Sequence, residues 1–209
     1  MQHVDDGTAR RGRGRPAGGR RLVDRDLLLD AAERVIALDG NGASLEAIAS
    51  EAGVTKPMIY ARVGSRAELS DALAQRLSDR LLERIRTGVE TSSIDRATVA
   101  RLFQMTLETF AENRELFLYV TRGSGDDTAE RTLHLAAQSA QPLAEMLADW
   151  RRRHGLDESA AEPWAYGLVG MLNMVSLWWL ENGGLDVEVL ADQLAELAWS
   201  GIGPRRTPR

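Results

Sequence analysis

Two groups of side chains stand out for the chemistry they can do. The first is Arg10-Arg11-Gly12-Arg13-Gly14-Arg15-Pro16, inside a stretch (residues 10–21) with six arginines and no acid. Guanidinium forks match phosphate oxygens, and the intervening glycines keep the chain thin enough for a narrow groove. The second is Lys56-Pro57-Met58-Ile59-Tyr60-Ala61-Arg62. Its cations and phenol are donors suited to phosphates and to the acceptor edges of bases. Other chemistry is poorly provided for. The chain has no cysteine, which removes disulfides, thiolate metal sites and thiol nucleophiles. His3, His134 and His154 are its three histidines, and none is paired at metal-ligand spacing. There is no Gly-x-Ser-x-Gly elbow, and the Gly-rich run follows no strand, as a dinucleotide loop must. Asp126-Asp127 reads as a loop that caps the following helix. No catalytic residue, metal or cofactor is expected, and the chain reads as a non-enzyme.

The charge is unevenly spread. The net charge of −5 is at first sight wrong for binding a polyanion. Residues 1–69 carry eleven basic side chains against ten acidic ones, whereas residues 70–209 carry fifteen arginines against twenty-one acids. Affinity for nucleic acid follows local phosphate neutralisation rather than the average. With 44% hydrophobic residues a packed interior is available. No segment resembles a signal peptide. The apolar stretch Tyr166–Leu180 contains Asn173 and Ser176 and is short for a bilayer, so a cytoplasmic protein without a membrane partner is expected.

The elements that must position these groups are helical. Residues 1–22 lack apolar periodicity and read as a flexible arm. Leu27, Leu28, Ala31, Ala32, Val35, Ile36 and Leu38 then recur at three and four, predicting a helix stopped by Gly40 and Gly42. Short helices are expected from Ser44 and from Thr55, and a longer one from Ser65 to Arg86. Further helices are expected over Ala97–Glu112, Glu115–Thr121, Thr128–His154, Glu162–Asn182 and Asp186–Ser200. Pro142 is expected to kink or divide its helix. The reading is all-α, with about nine or ten helices. Residues 23–69 form a first domain, residues 70–203 a second, and 204–209 a tail.

Leu45–Gly64 carries the strongest local signature. Ile48, Val54 and Ile59 are apolar where two crossing helices and the preceding one must share a core. Ala49 is small where the second helix passes. Gly53 supplies a positive φ at the turn. Thr55 suits an N-cap, and Pro57 falls in the first turn, where its missing N–H matters least. The second helix then exposes Lys56, Pro57, Met58, Tyr60, Ala61 and Arg62. This is a helix-turn-helix, weighed against a plain helical hairpin within a bundle.

Residues 24–70 resemble the DNA-binding domain of the TetR (tetracycline-repressor-like) family. The resemblance rests on Asp30-Ala31-Ala32, Leu45-Glu46-Ala47-Ile48-Ala49, Ala52-Gly53-Val54-Thr55-Lys56, Ile59-Tyr60 and Gly64-Ser65-Arg66-Ala67-Glu68-Leu69. Val63 departs from the usual Phe, and Ala61 from a longer aromatic or His. The resemblance implies phosphate contacts from Ser44, Thr55, Tyr60 and Arg66, and base-facing positions for Lys56, Pro57, Met58 and Arg62. The arm looks like an AT-hook core, with Arg13 and Arg15 as minor-groove residues. A disordered solubilising tail is the competing reading of that arm.

The resemblance further implies a homodimer formed by the last two long helices. Trp164, Leu168, Met171, Val175 and Trp178 form one stripe, and Leu190, Leu194 and Leu197 form another. Completion of a monomer core is the competing reading. The remaining helices would enclose an apolar or aromatic effector of unknown identity, with Phe103, Leu107, Phe110, Phe117, Tyr119, Met146, Trp150 and Met174 as candidate lining. Side chains at such spacing also serve as ordinary core. The expected function is a ligand-responsive repressor of a palindromic double-stranded DNA operator. The alternative is a helical small-molecule or lipid-binding module without specific DNA reading.

Overall fold

A computed structural model describes residues 24–88, 95–122 and 128–201. The arginine arm with Arg13 and Arg15, His3, the Asp126-Asp127 loop and the 204–209 tail lie outside the described residues. Among the described residues the chain is all-α. The elements are α1 (Arg25–Asp39), α2 (Leu45–Glu51), α3 (Lys56–Arg62), α4 (Arg66–Gly88), α5 (Arg96–Glu112), α6 (Arg114–Arg122), α7 (Thr128–Arg153), α8 (Ala161–Asn182) and α9 (Val187–Ser200). Short 3₁₀ turns occupy Gly40–Gly42 and Glu158–Ala160. The helical periods therefore translate into helices at the expected places, with bounds shifted by a few residues. Helix α7 runs through Pro142 without dividing.

Side chains satisfy the otherwise unpaired amides at several helix starts. Asp24 accepts from the Asp26 amide at 3.1 Å, Asp95 from Thr98 at 2.7 Å, and Asp186 from Glu188 at 2.9 Å. Helix α4 opens with a reciprocal box. The Glu68 carboxylate accepts from the Ser65 amide at 2.7 Å, and the Ser65 hydroxyl accepts from the Glu68 amide at 3.3 Å.

The largest apolar core joins α1, α2, α3, α4 and α6. It contains Leu28, Ile36, Ile48, Ile59, Leu69, Leu73 and Leu77 together with Leu116–Val120 and Phe110. The boundary expected at residues 69 and 70 thus falls inside α4, and the core continues across it. A second core places Phe103 and Leu107 of α5 against Leu190, Ala191, Leu194 and Ala195 of α9. Arg96, the first residue of α5, pins the same stretch of α9 by reaching Asp192 and Glu196, each at 2.8 Å. Helices α7 and α8 form an antiparallel hairpin on small residues, Ala140, Ala144 and Ala165.

Candidate nucleic-acid interface

The interface is built on two seven-residue helices that could not persist alone, because nucleating a helix is unfavourable and so few residues propagate it. The shared core holds them. Leu45, Ile48 and Ala49 of α2 and Ile59 of α3 are buried in it, and Val63 closes α3 from below at 5% exposure. The smaller Val63 still fills its place. Between the helices the chain turns through Gly53 at φ +65°, with the Val54 amide donating to Ala49 O at 2.9 Å. That φ is the one the sequence required of glycine.

On α3 only Ile59 is buried, so Lys56, Pro57, Met58, Tyr60, Ala61 and Arg62 all face outward. Lys56, Pro57, Met58 and Arg62 are the positions expected to face the bases and Tyr60 a phosphate, and all lie on the exposed surface of α3. Thr55 occupies the N-cap position with extended backbone, yet its side chain makes no capping bond. The expectation of a Thr55 cap is therefore corrected. Its exposed hydroxyl does not serve the helix start. Ser44 does cap. Its hydroxyl oxygen accepts from the Ala47 amide at 3.1 Å, which leaves the hydroxyl proton to donate to a phosphate.

Two cations are already engaged. Lys56 is ion-paired with Glu46 in the first turn of α2, and its ammonium stands 6.0 Å from the Tyr60 ring centroid. The pair holds the Glu46 carboxyl below its usual range and the Lys56 ammonium above its own. Arg66 donates to Asn41 O at 2.9 Å and lies over the Tyr119 ring at 5.3 Å. Arg66 thus joins α4 to the Gly40–Gly42 turn and to α6, a structural tie that its assignment as a phosphate contact did not include.

Phe110 and Phe117 stack on each other at 4.2 Å within the first core, whereas Phe103 and Leu107 belong to the second. Tyr119 is buried beneath Arg66. Trp150 is half-buried against His154, 4.5 Å between ring centroids. Met146 and Met174 are exposed, Met174 at 61%. Among the described residues these side chains are divided between two cores and the surface. A surface groove of about 300 Å³ lies instead between Glu33 and Ala37 of α1 and the 111–116 corner, and it uses none of them.

The expected dimer residues divide in two. Leu190 and Leu194 are buried against α5 of their own chain. Leu168, Met171 and Val175 also turn toward that core and are half-buried. Trp164, Trp178 and Leu197 face outward, Trp164 beneath the Arg151 guanidinium at 4.5 Å. The outward stripe of α8 is rotated from the expected one and runs through Gly167, Gly170, Met174 and Trp178. No side chain comes within 4 Å of where a Cβ would stand at either glycine. Glycine carries no hydrophobic signal, so the sequence stripe passed over both.

No helix of the described residues is long and apolar enough to cross a membrane. No cluster of three or more metal-ligating side chains occurs among them.

Comparison with known proteins agrees with this architecture. Residues 28–73 match the family model described as bacterial regulatory proteins, tetR family. Residues 96–202 match the tetracyclin repressor-like C-terminal domain. The chain is 28% identical to the HTH-type transcriptional activator FasR of Mycolicibacterium smegmatis, covering 97% of this chain and 96% of that one. The solved fatty acid degradation regulator FadR of Bacillus halodurans superposes with TM-score 0.65 at 22% identity, covering 87% of this chain and 97% of that one. FadR of Bacillus subtilis, solved in complex with stearoyl-CoA, gives TM-score 0.60 at 20% identity, over 86% and 100%. With a helix-turn-helix whose second helix bares all but one of its side chains, and family models over both of its parts, this chain belongs to the TetR family and is a DNA-binding transcriptional regulator.

Proposed function

We propose that the protein acts as a homodimer on a two-fold operator and that an acyl ligand in its helical body weakens this binding. The observation that carries the DNA reading is the exposure of Lys56–Arg62 around the single buried anchor Ile59. A helix held by one apolar residue offers its remaining side chains to a groove. One such helix spans few base pairs, and a two-fold dimer doubles the site. The outward α8 stripe supports the dimer. Its two glycines permit close helix approach, and Met174 and Trp178 beside them are large apolar groups left in water.

The ligand reading draws on the relatives. One is named for fatty acid degradation and another was solved with stearoyl-CoA. Here the two cores meet along α8, where Leu172 and Val175 serve one and Leu177 and Leu180 the other. A long apolar chain that parted this seam would replace core contacts with its own. It would lower DNA affinity only by binding the non-matching dimer more tightly than the DNA-bound one.

Tyr60→Ala tests the DNA reading. Operator duplex selected from a random library with the wild-type protein should lose at least tenfold in affinity for the variant, with sedimentation unchanged. Unchanged affinity would remove α3 as the reading helix. Titrating stearoyl-CoA into the wild-type complex should release operator, whereas coenzyme A alone should not.

A further inference from the structure

Glu46 is an acid on a surface that must approach a polyanion. It occupies the second position of α2, and its carboxylate holds the ammonium of Lys56, the first residue of α3. Both side chains are exposed, and the Tyr60 ring flanks Lys56 on its own helix. Glu46 is stabilised as the anion by that pairing and by its own backbone amide. Two features oppose a general phosphate-binding role for Lys56. The flexible four-carbon stem is restrained from two sides, and any phosphate that takes the ammonium must lie beside the Glu46 carboxylate, a like charge that a neutral base edge does not carry.

We infer that Glu46 is a positioning residue that withholds Lys56 from the phosphate backbone and presents its remaining N–H donors to a base edge. The inference rests on α3 being the reading helix. In a random duplex, binding Lys56 to phosphate would bring the Glu46 anion against the backbone. In the operator, an acceptor edge such as the O6 and N7 of guanine takes the free donors while Glu46 keeps its bond. Glu46 therefore lowers affinity for the wrong DNA more than for the right one, which is the route by which a repulsive group creates specificity.

The test uses full-length protein, the selected operator and a random duplex. Glu46→Gln should bind random duplex about three- to tenfold more tightly at moderate salt, and the salt slope should steepen by about one for each subunit. Operator affinity should change less, so the specificity ratio falls. A library reselected with the variant should lose preference at one base pair per half-site, the pair at which Lys56→Ala also loses it. In the Lys56→Ala background, Glu46→Gln should have no more than a small effect. Glu46→Asp, which keeps the anion, should retain most of the wild-type ratio. An unchanged random-duplex affinity, slope and base preference would overturn the inference. So would an equal gain with and without Lys56, since that is simple repulsion at a distance. A thermal unfolding midpoint within a degree or so of wild type confirms that the helices are intact; if Glu46→Gln unfolds, Glu46→Ala, which also removes the anion, carries the same comparison. Failure of the wild-type protein to enrich any sequence would instead overturn the base-reading role of α3 itself.

Discussion

At the scale of single residues, the closing corner of the helix-turn-helix rests on two adjacent requirements. Gly64 has φ +86°, and a Cβ there would stand 2.3 Å from a Glu68 carboxylate oxygen. The backbone demands glycine, and a Cβ would push the Glu68 carboxylate from its place. Glu68 can lie so close because it folds back to accept from the Ser65 amide. That bond, then the one with the Ser65 side chain, holds the Glu68 carboxyl below its ordinary range. The unfolded chain binds this proton more tightly than the folded one. The stabilisation is therefore complete above the ordinary carboxylate range and is lost as pH falls through the lower, folded value. Glu68→Gln should flatten the acid limb of the stability curve. Thermal midpoints of both proteins between about pH 6 and about pH 3 would show it, their difference shrinking as acid removes the wild-type bond. A difference that widens in acid would contradict the capping role.

At the scale of elements, α4 does two jobs on two faces. Leu69, Leu73 and Leu77 enter the first core, and Arg76, Arg80 and Arg84 line a neighbouring face at spacings of four. Arg76 reaches Asp30 of α1 at 2.7 Å, with Glu33 at 3.4 Å and Asp26 at 3.5 Å. Arg80 grips Glu33 with bonds of 2.6 and 2.8 Å, and Arg84 holds Glu108 at 2.6 Å and Glu112 at 2.7 Å on α5. The ladder thereby ties the DNA-binding helices to the body through charge as well as packing. Arg76 is its least exposed member, at 24%. Arg76→Met should cost about 1–2 kcal/mol, because three carboxylates lose their common cation and face one another. Urea unfolding at low and high salt would measure this, and the loss should shrink as salt screens the acids. Equal losses at both salts would mean that the stem of Arg76, not its charge, was the contribution.

At the scale of the whole molecule, the outer face of α8 with part of α9 is an exposed apolar surface among the described residues. Met174 and Trp178 stand beside Gly167 and Gly170, and Val189 and Leu197 are exposed on α9. Met174→Arg combined with Trp178→Arg should convert the proposed dimer to monomer at micromolar concentration. Charges buried across a two-fold axis meet their own copies, and like-charge juxtaposition there is costly. Analytical ultracentrifugation would read the change, and operator affinity should fall with it while circular dichroism stays helical. A double variant that still sediments as a dimer would place the interface elsewhere.

The sequence by itself determined the all-α class, the turn at Gly53 and the outward face of α3. Each follows from contacts local in the chain: an apolar period, a glycine at a positive φ, and a seven-residue helix with one apolar anchor. It also carried the family, through the motif from Asp30 to Leu69. What only the tertiary structure decided were pairings between distant or crossing elements. Lys56 meets Glu46 because two helices cross, and Arg66 meets Tyr119 because α6 packs beneath the DNA-binding helices. Leu190 and Leu194 read as one stripe with Leu197, yet they are buried against α5 while Leu197 stays outside. A helix apolar on several sides does not reveal which side its own chain covers, since that depends on where the neighbouring helices lie. For the same reason Phe103 and Phe110, seven residues apart on α5, belong to different cores.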